Sequence, residues 1–327
     1  MREITYAEAL TEALREEMRR DKAVFCLGED IGRIGGNFGI TKGLQKEFGE
    51  DRVRDTPISE DAIVGASLGA ALTGLRPVPE IMFSSFLGCC WEQIWNQVSK
   101  VRYMSGGQVK VPMVIRTVNA IGRSTAAQHN ERPEAMLMHM PGLKVVAPAT
   151  PYDAKGLLKA AIRSDDPVIF FEQCFLYYTV KGEVPEGDYT VPIGKADIKR
   201  KGSDLTIATY SNMVHKSMQA AAVLSKEDGV EAEVIDMRTL SPMDMDTVLE
   251  SVKKTGRLIV ATDDCRRGST GAEIAAEVAE KGFDYLDAPV VRVATMDVPT
   301  PFSKPMENYI IPTPEKIVAA ARAMLEG

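Results

Sequence analysis

The stretch DTPISE, residues 55–60, runs straight into the apolar segment DAIVGASLGAALTGL, residues 61–75. Pro57 holds the backbone extended, Ser59 is placed to accept a hydrogen bond from an early helical amide, and Glu60 and Asp61 fall in the first turn. A carboxylate is thereby delivered to the mouth of a nearly all-apolar helix. Capping alone accounts for acids there, because the helix dipole favours them; the functional alternative is a proton-handling acid. A second candidate is His129, in the long polar loop TVNAIGRSTAAQHNERPEA. An isolated histidine is ordinarily structural or on the surface, yet loops of this kind are where function is often carried. A third is the glycine-rich GEDIGRIGGNFGITKGL, between a strand and a helix, where backbone amides often hold phosphates. Gly32, Gly35, Gly36 and Gly39 never form GxGxxG, and GxxxxGK[ST] is absent, so the dinucleotide and P-loop readings fail. An active-site loop or plain turn chemistry remains.

Metal and disulfide chemistry find little support. The five cysteines, Cys26, Cys89, Cys90, Cys174 and Cys265, are scattered and lack CxxC spacing, so they read as reduced thiols. The three histidines, His129, His139 and His215, never sit at helical ligand spacing. With 39 basic and 46 acidic residues the formal charge is −7, which offers no basic surface to nucleic acid or anionic membrane. The longest apolar stretch, Ala62 to Leu75, falls short of the about 20 residues needed to span a bilayer. MREITYAEAL lacks an apolar signal core, and the expectation is a cytoplasmic chain.

At 327 residues, 45% hydrophobic and 26% charged, the chain has the composition of a globular enzyme of about two domains. Thr5 to Glu8 forms a capping box ahead of an amphipathic helix ending near Arg20. Strands at AVFCL, PVPEIMF, VPMVIR, LKVVAP and PVIFFE alternate with helices, the longest read through SFLGCCWEQIWNQVSKVRYMSGGQ. This alternation predicts an α/β domain with a mostly parallel sheet, in which ligands bind beyond the carboxyl ends of the strands. Glu29, Glu60, Phe86 and the loop after Arg116 would gather there. Gly65 with Gly69 and Ala66 with Ala70 would let another helix approach α-helix 61–75 closely, in an interface or in core packing. The boundaries read as a first domain over 1–180, a Pro-, Gly- and charge-rich linker over 181–203, and a second α/β domain over 204–327.

Taken together, DTPISE, GASLGAALTGLRPVPEIMF, RYMSGGQ, AQH, MPGLKVVAPATPYDAKGLLKAAIR, DMRTLSPMD and LDAPVVRVATMDVPTPFS resemble the beta subunit of the thiamine-diphosphate-dependent first component of 2-oxo acid dehydrogenase complexes, of pyruvate, acetoin or branched-chain type. The resemblance spans the chain in order. It implies a pyrimidine-binding domain followed by a transketolase C-terminal-type α/β domain. It implies that Glu60 is the carboxylate hydrogen-bonded to the pyrimidine ring nitrogen of thiamine diphosphate, with Ile58, Met82 and Phe86 against the cofactor rings. His129 would face the substrate and assist proton transfer or reductive acylation of a lipoyl group.

The resemblance also implies partners. The GDG motif that holds magnesium and diphosphate in thiamine enzymes is absent, so Mg2+ is expected on an alpha subunit, the active assembly being α2β2 and the chain alone inactive. A lipoyl-bearing acyltransferase core would dock on it, and the substrate would be a small 2-oxo acid or acetoin. Some relatives hold K+, here falling on Met113, Ala161, Ile162 and Asp166, although Ser164 and Asp166 depart from the common pattern. A further departure follows His129, where the family usually reads HSQ and this chain has Asn130, Glu131 and Arg132, then Met136. Charge beside the substrate pocket would point to a different acceptor or 2-oxo acid. Two other readings of the same fold are half of a split transketolase-like carbon-transfer enzyme and an assembly subunit without its own chemistry.

Overall fold

In the computed structural model of the chain, which describes residues 1–326, two compact units emerge. The first comprises Met1–Ala120 and Met136–Ile193; the second comprises Ile121–Ala135 and the chain from Gly194 onward. The 181–203 segment, read above as a linker, carries a strand in each unit, and the units part between Ile193 and Gly194.

The first unit is built from β1 (Arg2–Thr5), α1 (Tyr6–Arg20), β2 (Val24–Gly28), α2 (Leu44–Phe48), β3 (Val53–Asp55), α3 (Glu60–Leu72), β4 (Arg76–Ile81), α4 (Val101–Met104) and β5 (Val114–Asn119). After the short helix α5 (Glu134–Met138) it continues with β6 (Lys144–Val146), α6 (Pro151–Arg163), β7 (Val168–Gln173), α7 (Leu176–Thr179) and β8 (Lys181–Val184). Its main sheet runs β6-β7-β5-β4-β2-β3, and all these pairings are parallel. A small antiparallel ribbon pairs β1 with β8. The capping box at Thr5 forms, the Thr5 hydroxyl accepting from the Glu8 amide at 3.1 Å and the Glu8 carboxylate accepting from the Thr5 amide at 2.7 Å. Glu12 and Glu16, one turn apart on α1, face Lys155 and Lys159, one turn apart on α6, with Lys155 to Glu16 at 2.7 Å.

The second unit holds β9 (Asp197–Arg200), β10 (Leu205–Thr209), α8 (Asn212–Asp228), β11 (Ala232–Asp236), β12 (Thr239–Ser241), α9 (Met245–Thr255), β13 (Leu258–Cys265), α10 (Thr270–Lys281), β14 (Val291–Thr295), α11 (Lys304–Ile310) and α12 (Pro314–Glu326). Its sheet order is β14-β13-β10-β11-β9, parallel except for the edge strand β9. Leu205, Ile207, Val234, Ile259 and Ala261 are fully buried in its core beneath α8 and α12.

The single helix expected over 85–108 is broken into a 3-10 segment (Ser84–Cys90), a π segment (Gln93–Val98) and α4. Gly88 and the Ser84–Ser85 and Cys89–Cys90 pairs are weak helix formers. The tight start brings Leu87 and Cys90 inward, and the wider turn after it keeps Ile94 and Val98 on the same buried side.

Through the middle of the first sheet runs a buried charge cluster. Arg116, 1% exposed, bonds Glu172 in two-pronged fashion, at 2.6 and 2.9 Å, and Glu80 at 2.8 Å. Tyr177 donates to the same Glu172 carboxylate at 2.6 Å. The parallel register sets Glu80 opposite Arg116, so neighbouring strands β4, β5 and β7 each contribute one member. Burial pushes Glu80 above the ordinary carboxylate range, whereas the two carboxylates outweigh burial for Arg116 and hold it more firmly charged than usual. Arg116→Met should therefore cost about 3–5 kcal/mol, because it strands two buried carboxylates; urea unfolding that matches the parent within 1 kcal/mol would contradict this.

Candidate active site

Three consecutive features at the carboxyl ends of β2, β3 and β4 assemble the site. β2 ends at Gly28 and hands on to Glu29; β3 ends at Asp55 and opens DTPISE; β4 ends at Ile81 and continues into Met82, Phe83 and Phe86. The Thr56 amide extends the β2–β3 ladder with a 3.0 Å bond to the Gly28 carbonyl. Glu60 is the first residue of α3 and is partly exposed, whereas Ile58, two residues earlier, is 81% exposed. The cap expected of Ser59 is not made by its side chain. Ser59 contributes only its carbonyl, which accepts from the Ile63 amide at 2.9 Å. Its hydroxyl is therefore not spent on the helix amides.

The glycine-rich loop serves this corner in a different way from phosphate binding. The amides of Gly32 and Arg33 donate to the Asp55 carboxylate, at 2.6 and 3.3 Å, and thus clamp the residue from which DTPISE departs. A side chain at Gly32 would come within 2.6 Å of that carboxylate. Gly36, at φ +80°, lets the loop backbone fold tightly over Glu80. Asn37 donates to the Met82 sulfur. Phe38, Phe83 and Phe86 form a chain of edge-on rings, with centroids 5.7 and 5.5 Å apart, behind the half-buried Met82. The result is an apolar, aromatic wall with carboxylates at its rim.

Electrostatics register the crowding of those carboxylates. Burial, then the charges of Glu60, Asp30 and Glu80, push Glu29 above the ordinary carboxylate range. Burial and then the Glu60 charge push the Cys90 thiol up to about 12, so that thiol stays protonated and unreactive. A rim of clustered negative charge suits a cationic, ring-bearing guest, and the donor set of one acid beside a thioether and aromatic rings fits the aminopyrimidine of a thiamine cofactor.

His129 closes a short 3-10 turn (Ala127–His129) within residues 121–135, the segment that belongs to the second unit. Of the residues that depart from the family pattern beside it, Asn130 and Arg132 turn inward. Asn130 is 3% exposed and accepts from Thr125 at 2.8 Å while donating to the Ala126 carbonyl at 2.7 Å. The Arg132 side chain pairs with Glu134 at 2.6 Å and with Asp263. The expected charge beside a substrate pocket is thus, for Arg132, absorbed by two carboxylates.

The residues that would take potassium do not fit an alkali ion. Arg76 donates to the carbonyls of Ile162 and Ser164, at 2.9 and 3.0 Å. The Ala161 carbonyl accepts from Ser164, and that of Met113 accepts from Val168. The Asp166 carboxylate is shared between Arg102 and Lys144. Arginine and lysine side chains already occupy the Ile162 and Asp166 oxygens, and backbone amides meet those of Ala161 and Met113. Among the described residues no group of three His, Cys, Asp or Glu side chains is placed to hold a metal ion.

Sequence reasoning missed Asp55, Glu80, Arg116, Glu172, Asp263 and Glu307. One signal was available, since PVPEIMF, VPMVIR and PVIFFE each carry a single charge in an otherwise apolar strand.

This pair of α/β units is of the transketolase type. The family described as transketolase, pyrimidine binding domain, matches residues 2–178, and the family described as transketolase, C-terminal domain, matches residues 194–317. A solved chain titled "Split gene transketolase, inactive beta4 tetramer" shares the fold, with a TM-score of 0.81 over 99% of both chains at 24% identity. At higher identity stand the acetoin:2,6-dichlorophenolindophenol oxidoreductase subunit beta of Cupriavidus necator, 48% identical over 100% of this chain and 98% of its own, and the 2-oxoisovalerate dehydrogenase subunit beta of Bacillus subtilis, 46% identical over 99% of each. The pyruvate dehydrogenase E1 component subunit beta of Bacillus subtilis is 46% identical over 100% of both chains. The chain belongs to this family of thiamine-dependent dehydrogenase beta subunits, as its sequence resemblance implied.

Because Glu29 binds its proton more tightly folded than unfolded, its ionisation costs stability as pH rises from the ordinary carboxylate value through the raised one. Glu29→Gln should accordingly raise the thermal midpoint at about pH 7 and leave it unchanged below about pH 4. Parallel melting curves for parent and variant across that range would contradict the assignment.

Proposed function

We propose that the chain is the beta subunit of a 2-oxo acid or acetoin dehydrogenase first component, acting with an alpha subunit in an α2β2 assembly in the cytoplasm. The observation that carries this reading is the delivery of Glu60, as the first residue of α3, to the carboxyl ends of strands whose neighbour supplies Met82 and Phe86. The family of relatives supports it. Exposed apolar residues flanking α3, Ile58 just before its start and Leu72 and Leu75 at its far end, at 81, 39 and 41%, support a covering partner chain. So do the small exposed residues Ala62, Ala66 and Gly69 along α3.

Thiamine diphosphate, when bound, would supply a nucleophilic thiazolium carbon and an electron sink. Glu60 would hold a proton at the pyrimidine ring nitrogen, from its place as the first residue of α3. Met82 and Phe86 flank the rings and exclude water, while Ile58 becomes buried only with cofactor and partner in place. His129 faces the substrate and moves a proton at the carbonyl oxygen or at the sulfur of an incoming lipoyl disulfide, which a lipoyl-bearing acyltransferase core would present. Magnesium and the diphosphate are assigned to the alpha subunit.

The test is to co-purify the chain with its alpha partner and to assay pyruvate, branched 2-oxo acids and acetoin with a dye as electron acceptor. Turnover of one of these is expected, and Glu60→Gln should lower it by about 10²- to 10⁴-fold without loss of assembly. Transfer from a ketose to an aldose, with none to lipoamide, would favour a split transketolase instead. Unchanged turnover in Glu60→Gln would reduce the chain to an assembly subunit.

A further inference from the structure

The segment that carries His129 is held at both of its ends by the second unit. At its start, the Glu307 carboxylate on α11 accepts from the amides of Gly122 and Ser124, at 2.8 and 3.0 Å, and Ile121 packs with Ile310 and Ile311. Glu307 is fully buried, and Lys304 from the previous turn supports it at 3.2 Å. At its end, Arg132 lies between Glu134 and Asp263, over the Tyr210 ring at 5.5 Å from its centroid.

Between these anchors the backbone is under strain. Ser124 and Ala126, neither of them glycine, take φ of +56° and +62°. L-residues adopt that region only where the surroundings impose it. The imposition is visible: Glu307 takes the Ser124 amide, and Asn130 takes the Ala126 carbonyl. A segment with ordinary dihedrals could lie down in many ways, whereas this one is held to a single path, an arch with His129 between its two anchors.

We propose that Glu307 and Arg132 are positioning residues for His129, the C-terminal unit setting where the imidazole stands by gripping the arch at both feet. The proposal rests on the reading of His129 as the group that faces the substrate. Neither residue touches the reacting atoms. Each acts through the placement of the loop, and displacement of a catalytic group by about 1 Å can cost up to about 10²-fold in rate. Arg132 stands in the NER stretch that follows the AQH motif.

The experiment uses the complex of this chain with its alpha partner, loaded with thiamine diphosphate and magnesium, and the 2-oxo acid or acetoin that it turns over. Glu307→Ala and Arg132→Gln should each lower kcat about 10- to 100-fold while KM and cofactor affinity hold, and amides over residues 122–130 should exchange with deuterium faster. Glu307→Gln, which keeps one acceptor oxygen for the two amides, and Arg132→Lys, which keeps the charge without the fork, should recover part of the rate, and they serve as the measurement if a harsher variant fails to fold. In a His129→Ala background the same substitutions should change kcat by less than about 3-fold, since nothing remains to be placed. Full multiplicative losses in that background, or unaltered kcat in the presence of faster exchange, would overturn the positioning role while leaving His129 intact. An unaltered kcat in His129→Ala alone would instead remove the reading of His129, and the proposal with it.

Discussion

One guanidinium, that of Arg116, binds together the three central strands β4, β5 and β7, the first of which runs on from its carboxyl end into Met82 and Phe86 of the site. It is buried, it is bonded to acids from both neighbouring strands, and its partner Glu172 is held again by Tyr177. A charge in the middle of a parallel sheet is tolerated only with partners of this geometry, and once they are present the register of β4, β5 and β7 has no freedom to slip. Glu80 is the link to the chemistry, because the residues immediately after it, Ile81 and Met82, lead into the apolar wall, and the glycine-rich loop folds over its carboxylate.

The glycine-rich loop and the arch around His129 share one device. In each, a carboxylate captures two nearby backbone amides: Asp55 takes those of Gly32 and Arg33, and Glu307 takes those of Gly122 and Ser124. Charge-assisted bonds to amides are short and directional, so each fixes a loop that lacks a regular ladder of its own. These two carboxylates serve loop backbones, whereas Glu60 stands at the start of α3.

Much of this was legible in the residues. Pro57 followed by acids and an apolar run located the start of α3 and hence Glu60, and the alternation of strands and helices gave both sheets their class. The capping box at Thr5 was readable because its two bonds lie within four residues. Features whose partners are remote in sequence were not: Arg132 meets Asp263 across more than a hundred positions, and Glu307 meets Gly122 across more. Local propensity misled in two places. Ser59 caps with its carbonyl alone, and the run from Ser84 to Met104 breaks into three windings because burial of Leu87, Cys90, Ile94 and Val98 dictated the path.

The discontinuity of the second unit has a consequence for modularity. The chain leaves the first unit at Ala120, contributes Ile121–Ala135 to the second, and returns at Met136 before departing for good after Ile193. No single cut separates the two. A gene divided at the apparent junction would encode an amino-terminal half trailing an arch bereft of Asp263 and Glu307, and a carboxy-terminal half with those two acids buried against nothing. Recombination can exchange this C-terminal module between relatives only together with the arch it was matched to.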